Sequence, residues 1–244
     1  MNDASATAIV TGGGKRVGES IVRTLLDDGW AVVAHVHHES DVVPDGAVKV
    51  AADLALPDCA SRIFGPAEGL PPVRLLVNNA ARFMFDGFGE ASAAEFDAHM
   101  AVNVRAPMLL VDELARRHRD GGALVVNMLD SKLAAPNPDF LSYTLSEYAL
   151  AGLTEIAARA LAGRRIRVNA IAPALMLPSG EQGESNFAAV HALNPLGRGI
   201  EVGDVTGALR FLIDSHGLTG QTLCLDGGQR FMALPRDVQY LERK

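Results

Sequence analysis

A short apolar strand, a glycine-rich turn and an amphipathic helix follow one another at the start of this chain, and few folds accommodate that order. Thr7 to Thr11 reads as the strand and Thr11-Gly12-Gly13-Gly14-Lys15-Arg16-Val17-Gly18 as the turn. The helix over Arg16 to Asp28 carries apolar residues at Ile21, Val22, Leu25 and Leu26. Glycines let the backbone approach a pyrophosphate, and a helix start offers unpaired N–H groups with partial positive charge. The spacing departs from GxGxxG, because Val17 stands at the last glycine position. A tight turn without a ligand would use the same glycines.

Six more apolar runs of strand type follow: Trp30 to Val36, Val48 to Ala52, Arg74 to Asn78, Ala123 to Met128, Ile166 to Ile171 and Gln221 to Leu225. Between most of them lie helical patterns, over Ser92 to His118, Leu141 to Ala162 and Glu201 to Asp214. Such alternation specifies a parallel sheet covered on both faces. The expected fold is therefore α/β: a single-domain, doubly wound Rossmann fold over residues 1–244, with a seven-stranded parallel sheet and helices on both faces. His37 to Gly46, broken by Pro44, is too short for a full crossover helix and predicts a clipped turn. Residues 174–194, with Pro178, Gly180 and Gly183, lie beyond the sixth strand and read as a substrate lid, since ligands bind outside the carboxyl ends of strands.

Composition narrows the partners. The 244 residues carry 22 Lys+Arg against 29 Asp+Glu, a formal charge of -7, which disfavours a general nucleic-acid binder. No apolar run approaches the ~20 residues that span a bilayer, and Met1-Asn2-Asp3-Ala4-Ser5 lacks a secretory pattern, so no membrane partner and a cytoplasmic location are expected. Cys59 and Cys224 show no metal-ligand spacing and read as buried free thiols. No metal site is expected.

The glycine loop resembles the TGxxxGxG of short-chain dehydrogenases/reductases, with Arg16 where most members have the middle glycine. Further landmarks occur in that family's order. Asp53, followed by Leu54, takes the place of its adenine-contacting Asp, and Asn78-Asn79-Ala80 that of its NNAG. Asn103 resembles its structural and catalytic Asn, and Tyr143 the tyrosine of its YxxxK. Ala172-Pro173 is similar to its PG, and Asp226-Gly227-Gly228 to its terminal DGG. The resemblance implies an oxidoreductase with a nicotinamide cofactor, assembled as a homotetramer or dimer through the helices around Ser92 to His118 and Leu141 to Ala162. It also implies cofactor contacts from Gly12, Gly14, Lys15, Arg16, Val17, Asp53, Leu54, Asn79, Ala80, Tyr143 and Pro173.

An acidic residue ending the second strand would select NAD through the ribose hydroxyls. Here the chain reads His35-Val36-His37-His38, with Lys15 and Arg16 nearby, a basic set able to meet a 2′-phosphate. NADP(H) is favoured over NAD(H), with His37 and His38 as phosphate contacts and His38 making the affinity pH-dependent.

Thirteen residues before Tyr143, where most of the family has Ser, stands Asp130. That Asp, Arg16 in the loop, and Phe83 four residues after Asn79 together resemble the pteridine reductase and dihydromonapterin reductase branch. The implied substrate is a pterin or similar flat ring, contacted by Arg16, Phe83, Asp130 and Tyr143, with Phe83 stacking on its face. Tyr143 would exchange the proton, with Asn103 ordering the site.

Glu147 departs from the pattern, because it occupies the position of the family's lysine. A charge about 5 Å away at an effective dielectric near 20 is worth roughly 3 kcal/mol, so the sign reversal makes Tyr143 harder to ionise. Glu147 could still accept hydrogen bonds from the nicotinamide ribose, and Asp130 could hold a proton between neighbouring acids. Lys132, two residues past Asp130, could supply a replacement ammonium, although a lysine in such a place is usually solvated. Three functions remain open: an NADPH-dependent reductase of pterin-like rings, a cofactor-binding homologue with weak or no catalysis, and a reductase of an unrelated carbonyl compound.

Overall fold

The computed structural model describes residues 5–178 and 182–241. Seven strands form one sheet: β1 (Thr7–Val10), β2 (Ala31–Val36), β3 (Val48–Ala51), β4 (Val73–Asn78), β5 (Ala123–Met128), β6 (Ile166–Pro173) and β7 (Thr222–Leu225). Their order is β3-β2-β1-β4-β5-β6-β7, and every pair is parallel. The order reverses between β1 and β4, and that switch point opens the crevice in which such sheets bind ligands.

The helices are α1 (Arg16–Asp27), α2 (Cys59–Phe64), α3 (Ala93–Met100), α4 (Ala106–Arg117), α5 (Leu141–Leu161), α6 (Glu184–His191) and α7 (Val202–Asp214). Alternation along β1 shows how they are shared between the two faces. Ala8 and Val10 pack with Ile21, Val22 and Leu25 of α1 and Leu209 and Leu212 of α7. Ile9 faces the other way, onto Ile63 of α2, Leu110 and Leu114 of α4 and Ala157 of α5. A strand buried on both faces favours a continuous apolar run, which accounts for Ala8–Val10, while the buried Thr7 hydroxyl is satisfied by Pro71 O at 2.6 Å.

Several boundaries differ from expectation. The strand expected over Thr7 to Thr11 ends at Val10, and the Thr11 amide makes the last bond to neighbouring β4, to Val77 O at 3.0 Å, as the glycine turn begins. The helix expected over Ser92 to His118 is divided. Ser92 caps α3 by accepting from Glu95 N at 3.1 Å, and a π-helical turn (Ala101–Arg105) separates α3 from α4. Helix α2 follows β3 without having been expected, since six residues are too few to show a period. No helix occupies His37 to Gly46, where only turns connect β2 to β3. Cys59 is a buried free thiol as expected, whereas Cys224 is only half-buried, because β7 is the edge strand.

The expected lid contains α6, which Asn186 ties to the C-terminal segment by donating to Leu241 O at 3.3 Å. Residues 179–181, including Gly180, lie outside the described residues, as do residues 1–4 and 242–244. Among the described residues no helix is long and apolar enough to cross a membrane, and no group of three or more His, Cys, Asp or Glu could hold a metal ion.

Candidate active site

Thr11 organises the glycine loop. Its hydroxyl accepts the amides of Asn79 (2.9 Å) and Ala80 (3.0 Å), while Asn79 Nδ2 donates to Thr11 O at 2.9 Å and Gly12 O at 3.3 Å. The ends of β1 and β4 are thereby locked at the switch point. Gly12 has φ +66°, and a Cβ on Gly18 would stand 2.0 Å from Gly12 O, so both positions require glycine. Arg16 holds φ 55° in the same loop. The left-handed backbone of a glycine position is thus kept while a guanidinium is added, at a cost of roughly 1–2 kcal/mol.

The loop fits a dinucleotide. Helix α1 begins at Arg16 with no side-chain cap, leaving its first N–H groups for an anion. Exposed Lys15, His37 and His38 gather around Asp41, whose carboxyl they help hold below the usual range, behind the effect of the His38 amide. His37 and His38 meet edge to face at 4.2 Å. Of the basic residues expected to act together, Lys15, His37 and His38 share this corner, whereas His35 does not. His35 is buried, accepts the Gly12 amide at Nδ1 (3.2 Å) and donates from Nε2 to Ala52 O (2.9 Å). Burial lowers its pKa, so it is a neutral brace between the loop and β3 rather than a phosphate ligand. Asp53 accepts the Ala55 amide at 2.8 Å, and the Leu54 side chain is buried in the core, leaving only its backbone for a ligand. Val17 lies half-buried at the start of α1, and Pro173 ends β6 opposite Leu225.

The reaction centre forms where β5 ends and α5 begins. Tyr143 donates its phenol proton to Asp130 Oδ2 at 3.2 Å. One turn later on α5, Glu147 is 2% exposed, against the alternative of a surface glutamate, and its Oε2 has no hydrogen-bond partner. Burial, followed by the carboxylates of Glu147 and Asp130, pushes the Tyr143 phenol well above the ordinary range. Glu147 is itself raised well above the carboxylate range by burial and then by Asp130. Asp130 is raised by burial too, against the Lys132 amide that donates to its Oδ1 at 2.8 Å. Burial thus disfavours the charged form of all three groups, an arrangement suited to giving a proton rather than taking one.

Asn103 lies in the π-helical turn and is buried. It accepts the Arg82 amide at 2.7 Å and donates to Arg82 O (3.0 Å) and Ser146 Oγ (2.9 Å), and Ser146 donates to Tyr143 O at 2.7 Å. Its contacts are structural: it ties the loop after β4 to the turn of α5 that carries Tyr143. Phe83 meets the Tyr143 ring edge-on at 4.7 Å and stacks on Phe140 at 4.2 Å, so one of its faces is already covered by protein.

Lys132 contradicts the solvated reading. Its side chain is 6% exposed, with Nζ 3.6 Å from Asp237, bonded to Asp139 O and 5.3 Å from the centre of the Phe140 ring. Asp237 belongs to a C-terminal segment that had no periodicity to mark it. Buried Asp86 was missed as well; it accepts the Ser142 amide at 2.9 Å and the Ser142 hydroxyl, capping the start of α5. Neither residue matches a motif, and both are brought in from segments remote in the chain.

A family model described as enoyl-(acyl carrier protein) reductase matches residues 14–230. L-xylulose reductase of Bos taurus is 33% identical over 238 residues, covering 92% of this chain and 96% of its own. The chain belongs to the short-chain dehydrogenase/reductase family. A short-chain type dehydrogenase/reductase of Picea abies is 30% identical, covering 91% of each chain. The fold is also shared with FolM alternative dihydrofolate reductase 1 from Brucella suis in complex with NADP, at a TM-score of 0.87 and 35% identity over 94% of this chain and 96% of that one. The corresponding protein from Brucella canis, complexed with NADP, gives a TM-score of 0.85 and 33% identity over 95% and 96%. These likenesses make the protein an oxidoreductase of the short-chain family and support a branch similar to pteridine reductases.

Proposed function

We propose that this enzyme uses NADPH to reduce a pterin-like, flat nitrogen heterocycle, with Asp130 and Tyr143 delivering the proton. The observation that carries the reading is the Tyr143–Asp130 hydrogen bond at 3.2 Å beside the edge of Phe83. The NADP-bound dihydrofolate reductases among its structural relatives support both cofactor and substrate class.

Gly12, Gly14, Arg16 and Val17 would receive the pyrophosphate at the uncapped start of α1, and Lys15, His37 and His38 the 2′-phosphate. Asp53, Leu54, Asn79, Ala80 and Pro173 would line the crevice, and Glu147 would meet the nicotinamide ribose with its unpartnered Oε2. Bound there, NADPH would supply the hydride for a C=N carbon of the substrate. Tyr143 holds a proton at its phenol oxygen for the substrate nitrogen, and Asp130 replaces that proton from its carboxyl. Arg16 and Phe83 would orient the ring, Asn103 fixes the helix turn beneath Tyr143, and residues 174–194 would close over the substrate.

The same reading makes the protein a cytoplasmic homodimer or homotetramer. Met108 on α4 and Tyr148 and Ile156 on α5 are exposed, with Ile156 at 69%, and leave an apolar face for a second copy. Leu110 and Leu150 of the same helices are buried in the monomer.

Purified protein should oxidise NADPH in the presence of a quinonoid dihydropterin or dihydrofolate and should prefer NADPH to NADH. NADPH binding without oxidation by any heterocyclic or carbonyl acceptor would support a non-catalytic homologue instead. Turnover with L-xylulose alone would move the substrate to simple carbonyl compounds.

A further inference from the structure

The C-terminal segment was not expected to contribute to the site, yet it contacts it through three residues. Arg236 pairs with buried Asp139, its Nε standing 2.9 Å from Oδ1 and 2.8 Å from Oδ2, and the Asp237 amide donates to the same carboxylate at 2.7 Å. Tyr240 lies parallel to the Phe140 ring at 6.0 Å and meets Phe85 edge-on at 5.9 Å. Between the segment and the β5–α5 connection lies Lys132, bonded to Asp139 O and 3.6 Å from Asp237 Oδ2. An ammonium this deeply buried requires partners, and here two segments distant in sequence supply them.

Asp130 is held from the same side, since the Lys132 amide donates to its Oδ1 at 2.8 Å. Around Asp130 the charged or titratable groups are Tyr143 and Glu147 on α5, Lys132 on its own connection and Asp237 on the C-terminal segment. Among the described residues Lys132 is the cation that acts on Asp130, where it offsets the larger, opposite effect of Asp237, and none acts comparably on Tyr143. The family's position for a lysine is filled by Glu147, which draws the opposite way. We infer that Lys132 is a positioning residue: its ammonium, latched by Asp237 and Asp139, supplies Asp130 with the positive charge that Glu147 withholds from Tyr143. The C-terminal segment thereby tunes the proton donor. This role rests on the proposed reductase reading for its use in turnover but not for its physical test.

The test uses the full chain in two arms that need no substrate. The protein has four lysines, which allows each to be followed by mass spectrometry during acylation with an N-hydroxysuccinimide ester. Lys132 should be protected at least tenfold relative to exposed Lys15, and Asp237→Asn should remove most of that protection. In carbon-13 spectra, with the Asp130 carboxyl assigned through Asp130→Asn, Lys132→Met should raise the titration midpoint of Asp130 by about one pH unit. Lys132→Arg, which keeps the charge, should leave the midpoint near that of the parent and guards against a general packing effect. In turnover with a quinonoid dihydropterin, the alkaline limb of the kcat profile should move up with Lys132→Met and stay with Lys132→Arg. Acylation of Lys132 as fast as Lys15, or an Asp130 midpoint unmoved by Lys132→Met, overturns the inference. A parent protein that reduces no pterin overturns the proposed substrate class, while the labelling and titration arms still decide the role of Lys132.

Discussion

Tyr143 and Glu147 stand one helical turn apart on α5, and both meet Asp130 just past the end of β5: Tyr143 donates to it at 3.2 Å, and Asp130 adds to the burial that raises the pKa of Glu147. In the family resemblance that helix turn carries a phenol and an ammonium. Here it carries a phenol and a glutamate, and the phenol's pKa is raised rather than lowered.

Removing the phenol should therefore abolish proton delivery while leaving the fold intact. Tyr143→Phe is expected to lower kcat by at least 100-fold, with NADPH affinity within about twofold of the parent. Asp130→Asn should lower kcat by about tenfold or more, and stopped-flow NADPH oxidation measures both.

Glu147 makes a second pair of outcomes accessible. Its folded-state pKa lies above the unfolded value, so its stability contribution is full below the unfolded pKa and is lost as pH rises through the folded one. Glu147→Gln should raise Tm at pH 8 and do so less at pH 5, with a gain above about 1 kcal/mol at the higher pH. Glu147→Lys should bring the Tyr143 phenol down, which absorbance near 295 nm can follow in a chain of three tyrosines.

Arg16 holds a left-handed φ of 55° that glycine adopts without cost. Arg16→Gly is expected to stabilise the apo-protein by about 1 kcal/mol, visible as a higher Tm. The same change should weaken NADPH binding by about fivefold or more in a fluorescence titration, because a cation leaves the pyrophosphate loop.

His35 links loop geometry to pH. Its folded pKa is below the unfolded one, so the stability it contributes is present above the unfolded value, near 6.5, and is lost as pH falls through the folded value. Protonation of Nδ1 would break the acceptor bond to the Gly12 amide. The parent should lose Tm between pH 7.5 and 5.5, and His35→Gln should flatten that slope by about 1 kcal/mol.

Phe83→Ala is expected to raise KM for a pterin acceptor by about fivefold, in line with the worth of one aromatic contact, and to leave NADPH affinity unchanged. Equal loss of both would mean that Phe83 serves Phe140 and Tyr143 as packing alone.

Much of the fold was legible because its signals are local. Each strand buried on both faces is a short apolar run, and α1 and α7 show their stripes. The same locality hid α2, too short for a period, and the π-helical break that sets Asn103, because Ala101–Arg105 continues the helical pattern of its neighbours. Asp130, Tyr143 and Glu147, named from sequence, meet where β5 ends and α5 begins. His35 was grouped with its neighbours His37 and His38, yet it lies inside β2, which is buried on both faces, whereas His37 and His38 lie past the end of the strand and are exposed.

The order of strands and helices, the glycine loop, and the identities of Asp130, Tyr143 and Glu147 were determined by sequence alone, because each depends on residue type and spacing along one segment. Only the tertiary structure decided the state of those groups. Whether Glu147 is buried, whether Lys132 is a solvated lysine or a latched cation, and whether Asp237 reaches the site depend on segments about 100 residues apart meeting in space. Burial and Coulomb interactions act through distance and dielectric environment, and neither is encoded in local spacing.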